Sequence, residues 1–262
     1  MITPTRRQLL KAGALSFSLT LSSSRATAAL PDPRTFQAGD LLWPKDPGKR
    51  IPYGTSGDTS PDEERAQWER EKVEFLAQPD RDDLSDDALD LLQRMTFEEF
   101  VSTFTTGQVP GQRVPHGMGE IAVGHVALVD KPPGKTPWII EAMPKAGVVR
   151  VPYADWLKRR TGQIVWQGRV KNFSAHRRSE IASVARTFVG RPYRFFSFRL
   201  DNDRHFYCSK LIWLSVSRSL GISLDGKQGI IRFPWLSPKQ LLYSASVSRL
   251  FDPGDYAEKF RG

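Results

Sequence analysis

The chain holds one cysteine, Cys208, in the run Phe206-Tyr207-Cys208-Ser209-Lys210-Leu211-Ile212-Trp213. A thiol attacks as its thiolate, and a free cysteine keeps its proton up to a pH near 8.5, so a nucleophilic cysteine needs help to ionise. Two aids are legible around it. Leu211, Ile212, Leu214 and Val216 recur with helical spacing after Cys208, which puts the thiol at a helix N-terminus. His125, in Gly124-His125-Val126-Ala127-Leu128-Val129, would supply an imidazole from an apolar strand, and Glu141, after a second apolar run, would hold the far ring nitrogen. The Cys208 backbone N–H at the helix start would face the oxyanion of an acyl-transfer intermediate.

Each residue has a plainer reading. A lone cysteine is often a core filler, a histidine on an apolar strand is often a satisfied core residue, and acids often end strands at the surface. His205 is a rival base, but it lies three residues before Cys208, and a base so near in sequence seldom points at its nucleophile. Tyr207 and Tyr193 are candidates to line the site or assist the oxyanion, with packing as the alternative.

Other chemistries find little footing. Neither C-x-x-C nor H-x-x-x-H occurs, and His116, His125, His176 and His205 are scattered, so no metal is expected. Neither G-x-x-x-x-G-K-[ST] nor G-x-G-x-x-G is present, and no cofactor is expected. The run Lys158-Arg159-Arg160 and the pair Arg177-Arg178 read as solvated helix faces, and no nucleic-acid partner is expected.

Residues 1–28 have the form of an export leader. Thr5-Arg6-Arg7-Gln8-Leu9-Leu10-Lys11 precedes a short, weakly apolar stretch, and Ala26-Thr27-Ala28 ends it. Twin arginines followed by leucines and lysine are similar to a twin-arginine (Tat) signal, which implies folded export and a periplasmic protein. There an unpaired cysteine is a liability unless it is buried or does chemistry. The net charge is +9, but four of the cations and no acid lie in this leader, leaving +5 beyond it. So mild a surplus is compatible with peripheral contact with the wall or an anionic membrane, and equally with solvated surface.

The elements that must position these residues follow in order. Residues 36–43 read as a turn into a short strand. Residues 44–118 read as a mostly helical insertion, with helix starts at Ser60-Pro61-Asp62-Glu63, at Ser85-Asp86 and at Thr96, and with a loop over 107–118. Strands are expected over 120–130, 137–142, 147–152 and 163–167, with a short helix over 153–159 between the last two. Helices are expected over 174–189 and 208–220, and the tail, 233–262, shows apolar anchors such as Trp235 and Leu236 without a repeat. Insertion, antiparallel strands and two helices make an α+β fold in one domain, 29–262.

Five motifs then occur in one order: Gly39-Asp40-Leu41-Leu42, Gly124-His125-Val126-Ala127-Leu128-Val129, Glu141-Ala142, Gly190-Arg191-Pro192-Tyr193 and Tyr207-Cys208-Ser209. Together they resemble the circularly permuted papain-like enzymes of the NlpC superfamily, in particular the YiiX/YaeF-type group, over roughly residues 36–220. The resemblance implies an antiparallel sheet packed on helices, with the histidine strand ahead of the cysteine helix. It implies Cys208 as nucleophile, His125 as base and Glu141 as third member of a peptidase or amidase acting on cell-wall peptides or acyl amides. The sequence departs from the family at Lys210, where an acid is usual after Cys-Ser, and at Arg194, where an aspartate is common. An acyltransferase with the same nucleophile, and a non-catalytic wall- or lipid-binding module on the same fold, are the alternatives. Five tryptophans (Trp138, Trp156, Trp166, Trp213 and Trp235) are candidates for an apolar groove, which would favour a lipid substrate, or else for core.

Overall fold

Six short segments of apolar character pair into one antiparallel sheet in the computed structural model, which describes residues 30–45, 61–107 and 123–253. They are β1 (Leu41–Lys45), β2 (Ala127–Asp130), β3 (Trp138–Met143), β4 (Gly147–Pro152), β5 (Ile164–Val170) and β6 (Val247–Phe251), in the spatial order β4-β3-β2-β1-β5-β6. Side chains alternate between the faces of a strand, and both faces here are covered. Leu41, Trp43, Leu128, Ile140, Val148, Ile164 and Trp166 join the large core beneath α5 (Ala175–Arg186) and α6 (Cys208–Leu220). Leu42, Ala127, Val129, Ile139 and Val165 face the other way, onto Phe36 and the Tyr153 and Trp156 rings of α4 (Tyr153–Lys158). The molecule is thus α+β, a sheet between helices.

Local sequence explains most element ends. Ser85 caps α2 (Asp86–Arg94) through the Ala88 N–H, and Thr96 and Glu99 form a reciprocal capping box on α3 (Phe97–Thr106). Ser174 caps α5, and Gly221, with φ of 70°, closes α6. At Gly39 the backbone has φ of 88°, and an added Cβ would lie 2.3 Å from the Arg178 carbonyl oxygen, so this turn both requires and protects a glycine. The next residue, Asp40, is fully buried and accepts hydrogen bonds from Gln37, Gln167 and Arg169, which ties the start of β1 to β5.

Three sequence expectations need correction. The insertion begins after β1, because Pro44 and Lys45 still lie in the ladder opposite Val165 and Ile164. The expected strand over 120–130 is a strand only from Ala127 (residues 120–122 lie outside the described residues). The backbone at 123–126 makes other bonds: the Val123 N–H donates to the carbonyl of Thr105 at the end of α3. The tail is more regular than its sequence suggests, forming α7 (Pro238–Leu242) and the edge strand β6. The leader, the rest of the 107–118 loop and residues 254–262 also lie outside the described residues. Among the described residues, no helix is long and apolar enough to cross a membrane.

The helices of the insertion, α1 (Pro61–Leu76), α2 and α3, share the main core. Phe100 meets Trp235 edge-on at 4.7 Å between ring centroids and Phe195 at 5.4 Å, while Phe75 meets Phe198 at 5.3 Å. Phe104 of α3 touches Tyr207, the residue before Cys208. The insertion therefore buttresses the start of the cysteine helix.

Candidate active site

Glu141 reaches His125 because of the register of β2 and β3. Leu128 opposes Ile140 and Val129 opposes Ile139; continued one step, that pairing sets Glu141 opposite Ala127, two residues from His125. Glu141 Oε2 lies 2.9 Å from His125 Nε2, and Glu141 is fully buried. The same oxygen accepts from Trp156 Nε1 at 2.9 Å and from an Arg160 guanidinium nitrogen at 2.7 Å. Burial alone would push the Glu141 carboxyl up, but Arg160, His125 and Trp156 outweigh it and hold the pKa down at about 2. Glu141 is thus a carboxylate. An ionised carboxylate only accepts hydrogen bonds, so His125 Nε2 carries a proton and Nδ1 is the ring atom left to act as a base. Burial, with the Arg160 charge, lowers the His125 pKa against the opposing pull of Glu141.

Cys208 is the first residue of α6, after Tyr207 in extended backbone with φ of −111°. Its sulfur lies 3.9 Å from the Gly124 carbonyl oxygen, and the backbone N–H groups of Val126 and Ser209 and its own point at it. The thiol therefore rests against the peptide groups on both sides of His125. Burial dominates its ionisation: Cys208 is 1% exposed, and its pKa is pushed up to about 12 despite those donors. The expectation that the helix start lowers the thiol pKa is overruled, because desolvating a thiolate costs more than the helix terminus returns.

The remaining candidates have the following surroundings. Tyr207 is buried in the core, and its hydroxyl accepts the Leu236 N–H at 3.4 Å. Tyr193 forms a single parallel bridge with Phe206 and packs edge-on against Phe195. His205 lines a polar cavity of about 150 Å³ with Glu71, Asp82 and Arg194. Lys210 is fully buried, donates to Ser197 Oγ at 2.6 Å, and has its pKa lowered by burial to about 8. Arg194 pairs with Glu74 of the insertion at 2.5 Å. Of the five tryptophans, Trp156, Trp166, Trp213 and Trp235 are core, and Trp138 lies beneath the Arg150 guanidinium, so they do not form an open groove.

Trp156 and Arg160 are the residues that sequence reasoning missed here. Arg160 read as part of a solvated basic run, yet it is 2% exposed and lies 4.4 Å over the Trp156 ring. Their spacing of four residues, the distance that brings side chains together on a helix, was the available signal. Among the described residues no three His, Cys, Asp or Glu side chains gather as a metal site would require.

No curated protein matches the chain. A solved structure of the metalloprotein YiiX from Escherichia coli O157:H7 is similar at 15% identity with a TM-score of 0.46, covering 82% of this chain and 96% of that one. Residues 115–240 match the family described as permuted papain-like amidase enzymes, YaeF/YiiX, C92. The segment that carries His125 into β2 precedes the cysteine helix α6, as in that family of permuted papain-like cysteine hydrolases, and over residues 115–240 the chain is similar to it.

Proposed function

We propose that the protein hydrolyses an amide through a Cys208–His125–Glu141 triad. The observation that carries this reading is the buried His125–Glu141 bond beside a thiol lodged against both peptide neighbours of His125. Because the resting thiol keeps its proton, His125 Nδ1 takes that proton as Cys208 attacks the carbonyl carbon, and the imidazolium then gives it to the leaving amine. Glu141 stabilises the imidazolium and fixes the ring. Water, activated by the same imidazole, releases the acyl group and restores the thiol. Backbone N–H groups around the sulfur, those of Val126, Ser209 and Cys208, are the natural oxyanion donors.

The substrate class is a cell-wall peptide or an acyl amide. Burial of Trp156, Trp166, Trp213 and Trp235 supports a peptide over a lipid. Export by the twin-arginine route, read from residues 1–28, would bring the folded enzyme to the wall in the periplasm. The test is digestion of wall peptides and of N-acyl amines by the protein, with Cys208→Ala as control. Release of free amine by the parent alone supports hydrolysis. Transfer of the acyl group to an added amine or lipid in preference to water would make it an acyltransferase. Ligand binding without turnover, indifferent to Cys208→Ala, would make it a binding module.

A further inference from the structure

We propose that Arg160 is a positioning residue of this site, which holds Glu141 as a carboxylate and keeps His125 Nδ1 unprotonated so that it can accept the thiol proton. The inference rests on the triad reading above and assigns a part to a residue outside it. Arg160 follows α4, and its backbone N–H donates to the Leu157 carbonyl at 2.9 Å, which turns the side chain back over Trp156. From there the guanidinium meets Glu141 Oε2 at 2.7 Å.

The charge count explains why the cation matters. Among the described residues, the charged groups that act on the ring are Glu141 from β3 and Arg160 from beyond α4, and the Cys208 thiol at the start of α6 rests against the peptide groups on either side of His125. With Arg160 present, the guanidinium and the carboxylate cancel, and a neutral imidazole and a neutral thiol leave these four groups with no net charge. Proton transfer from Sγ to Nδ1 keeps the total at zero. Without Arg160, the buried Glu141 anion has the imidazole as its nearest source of positive charge, and His125 holds a proton on both nitrogens. An imidazolium cannot serve as the thiol's base. Three donors on the one oxygen also fix the ring more tightly than His125 and Glu141 would alone.

The test follows the His125 imidazole by NMR in the Cys208→Ala protein, labelled at its four histidines and assigned with His125→Gln. Removal of the thiol separates the measurement from the nucleophile question. Arg160→Met should raise the His125 titration midpoint by about one pH unit or more, a tenfold change in its protonated-to-neutral ratio at fixed pH. Arg160→Lys should bring the midpoint back. A merely structural arginine would lower the melting temperature and leave the midpoint where it was. Should Arg160→Met fail to fold, Arg160→Gln, neutral but still able to donate to Glu141, gives the same reading. An unmoved midpoint in either folded neutral variant, or a lysine variant that shifts as far as methionine, overturns the proposal. That result would leave acylation of Cys208 untouched, whereas failure of Cys208 to acylate would leave this titration untouched.

Discussion

Replacing both members of the Glu141–Arg160 pair should damage the protein less than replacing Glu141 alone. Arg160 is 2% exposed and Glu141 is fully buried, so the two charges face each other away from water. Glu141→Leu takes a carboxylate away from the buried Arg160 guanidinium and strands the Trp156 and His125 donors. Stripping one partner from a buried pair costs about 3–5 kcal/mol. Arg160→Met is milder, about 1–3 kcal/mol, because His125 lies within reach of Glu141 and gains a proton to balance it. In the double variant the buried cation is gone, and two apolar side chains fill the space beside Trp156. Such replacements of whole pairs are often neutral or stabilising, so only the stranded donors count, at roughly 1–3 kcal/mol. Adding Arg160→Met to Glu141→Leu should therefore restore about 2 kcal/mol, or some 4–8 °C in Tm for a chain of this size. Urea unfolding of the four proteins at pH 7, with unchanged m-values, reads the cycle. A double variant less stable than Glu141→Leu, by the full cost of Arg160→Met, would refute the reasoning.

Two further outcomes concern pH. Folding lowers the Glu141 pKa from 4.5 to about 2, so its stabilisation is complete above pH 4.5 and is lost as the pH falls from there towards 2. The loss amounts to about 3 kcal/mol in acid unfolding curves and should vanish in Glu141→Leu. Lys210 moves the opposite way: its pKa falls from 10.5 to about 8, so the unfolded chain binds more protons between those values and stability rises with pH across that window. Below pH 8 the penalty is complete, and Lys210→Met should raise stability at pH 7 by about 2 kcal/mol once the lost bond to Ser197 is counted. A urea midpoint that drops in this variant would contradict the burial argument.

Much of this architecture was legible because local signals and tertiary packing agreed. The helix from Cys208 to Leu220 and the strand from Gly147 to Pro152 have the bounds their residue patterns suggest, since apolar periodicity and flanking turn residues coincide there. Cys208, His125 and Glu141 were singled out from chemical type and motif order, and the register of β2 and β3 brings the last two into contact. Arg160 was hidden because its neighbours Lys158 and Arg159 look solvated, and only the fold reveals that the chain turns after α4 to bury one cation of the three. The thiol's high pKa was hidden for a related reason. A helix start can be read from sequence, whereas burial of the thiol depends on distant segments such as residues 124–126 that the fold brings against it. The short β2 has the same origin, since Val123 gives its N–H to Thr105 of α3 and not to a strand.

The central claim is that His125 draws the proton from a buried Cys208. The most direct measurement is the rate at which a small activated ester, 4-nitrophenyl acetate, acetylates Cys208 between pH 5 and 10, in the parent and in His125→Ala. Intact-mass and peptide mass spectrometry locate the single thioester, because the chain has one thiol. The account predicts acetylation at Cys208 that rises as His125 loses its proton and then levels off, slowed about 10²–10⁴-fold in His125→Ala. A rate indifferent to His125, still climbing through pH 10 towards the thiol's own pKa of about 12, would contradict it.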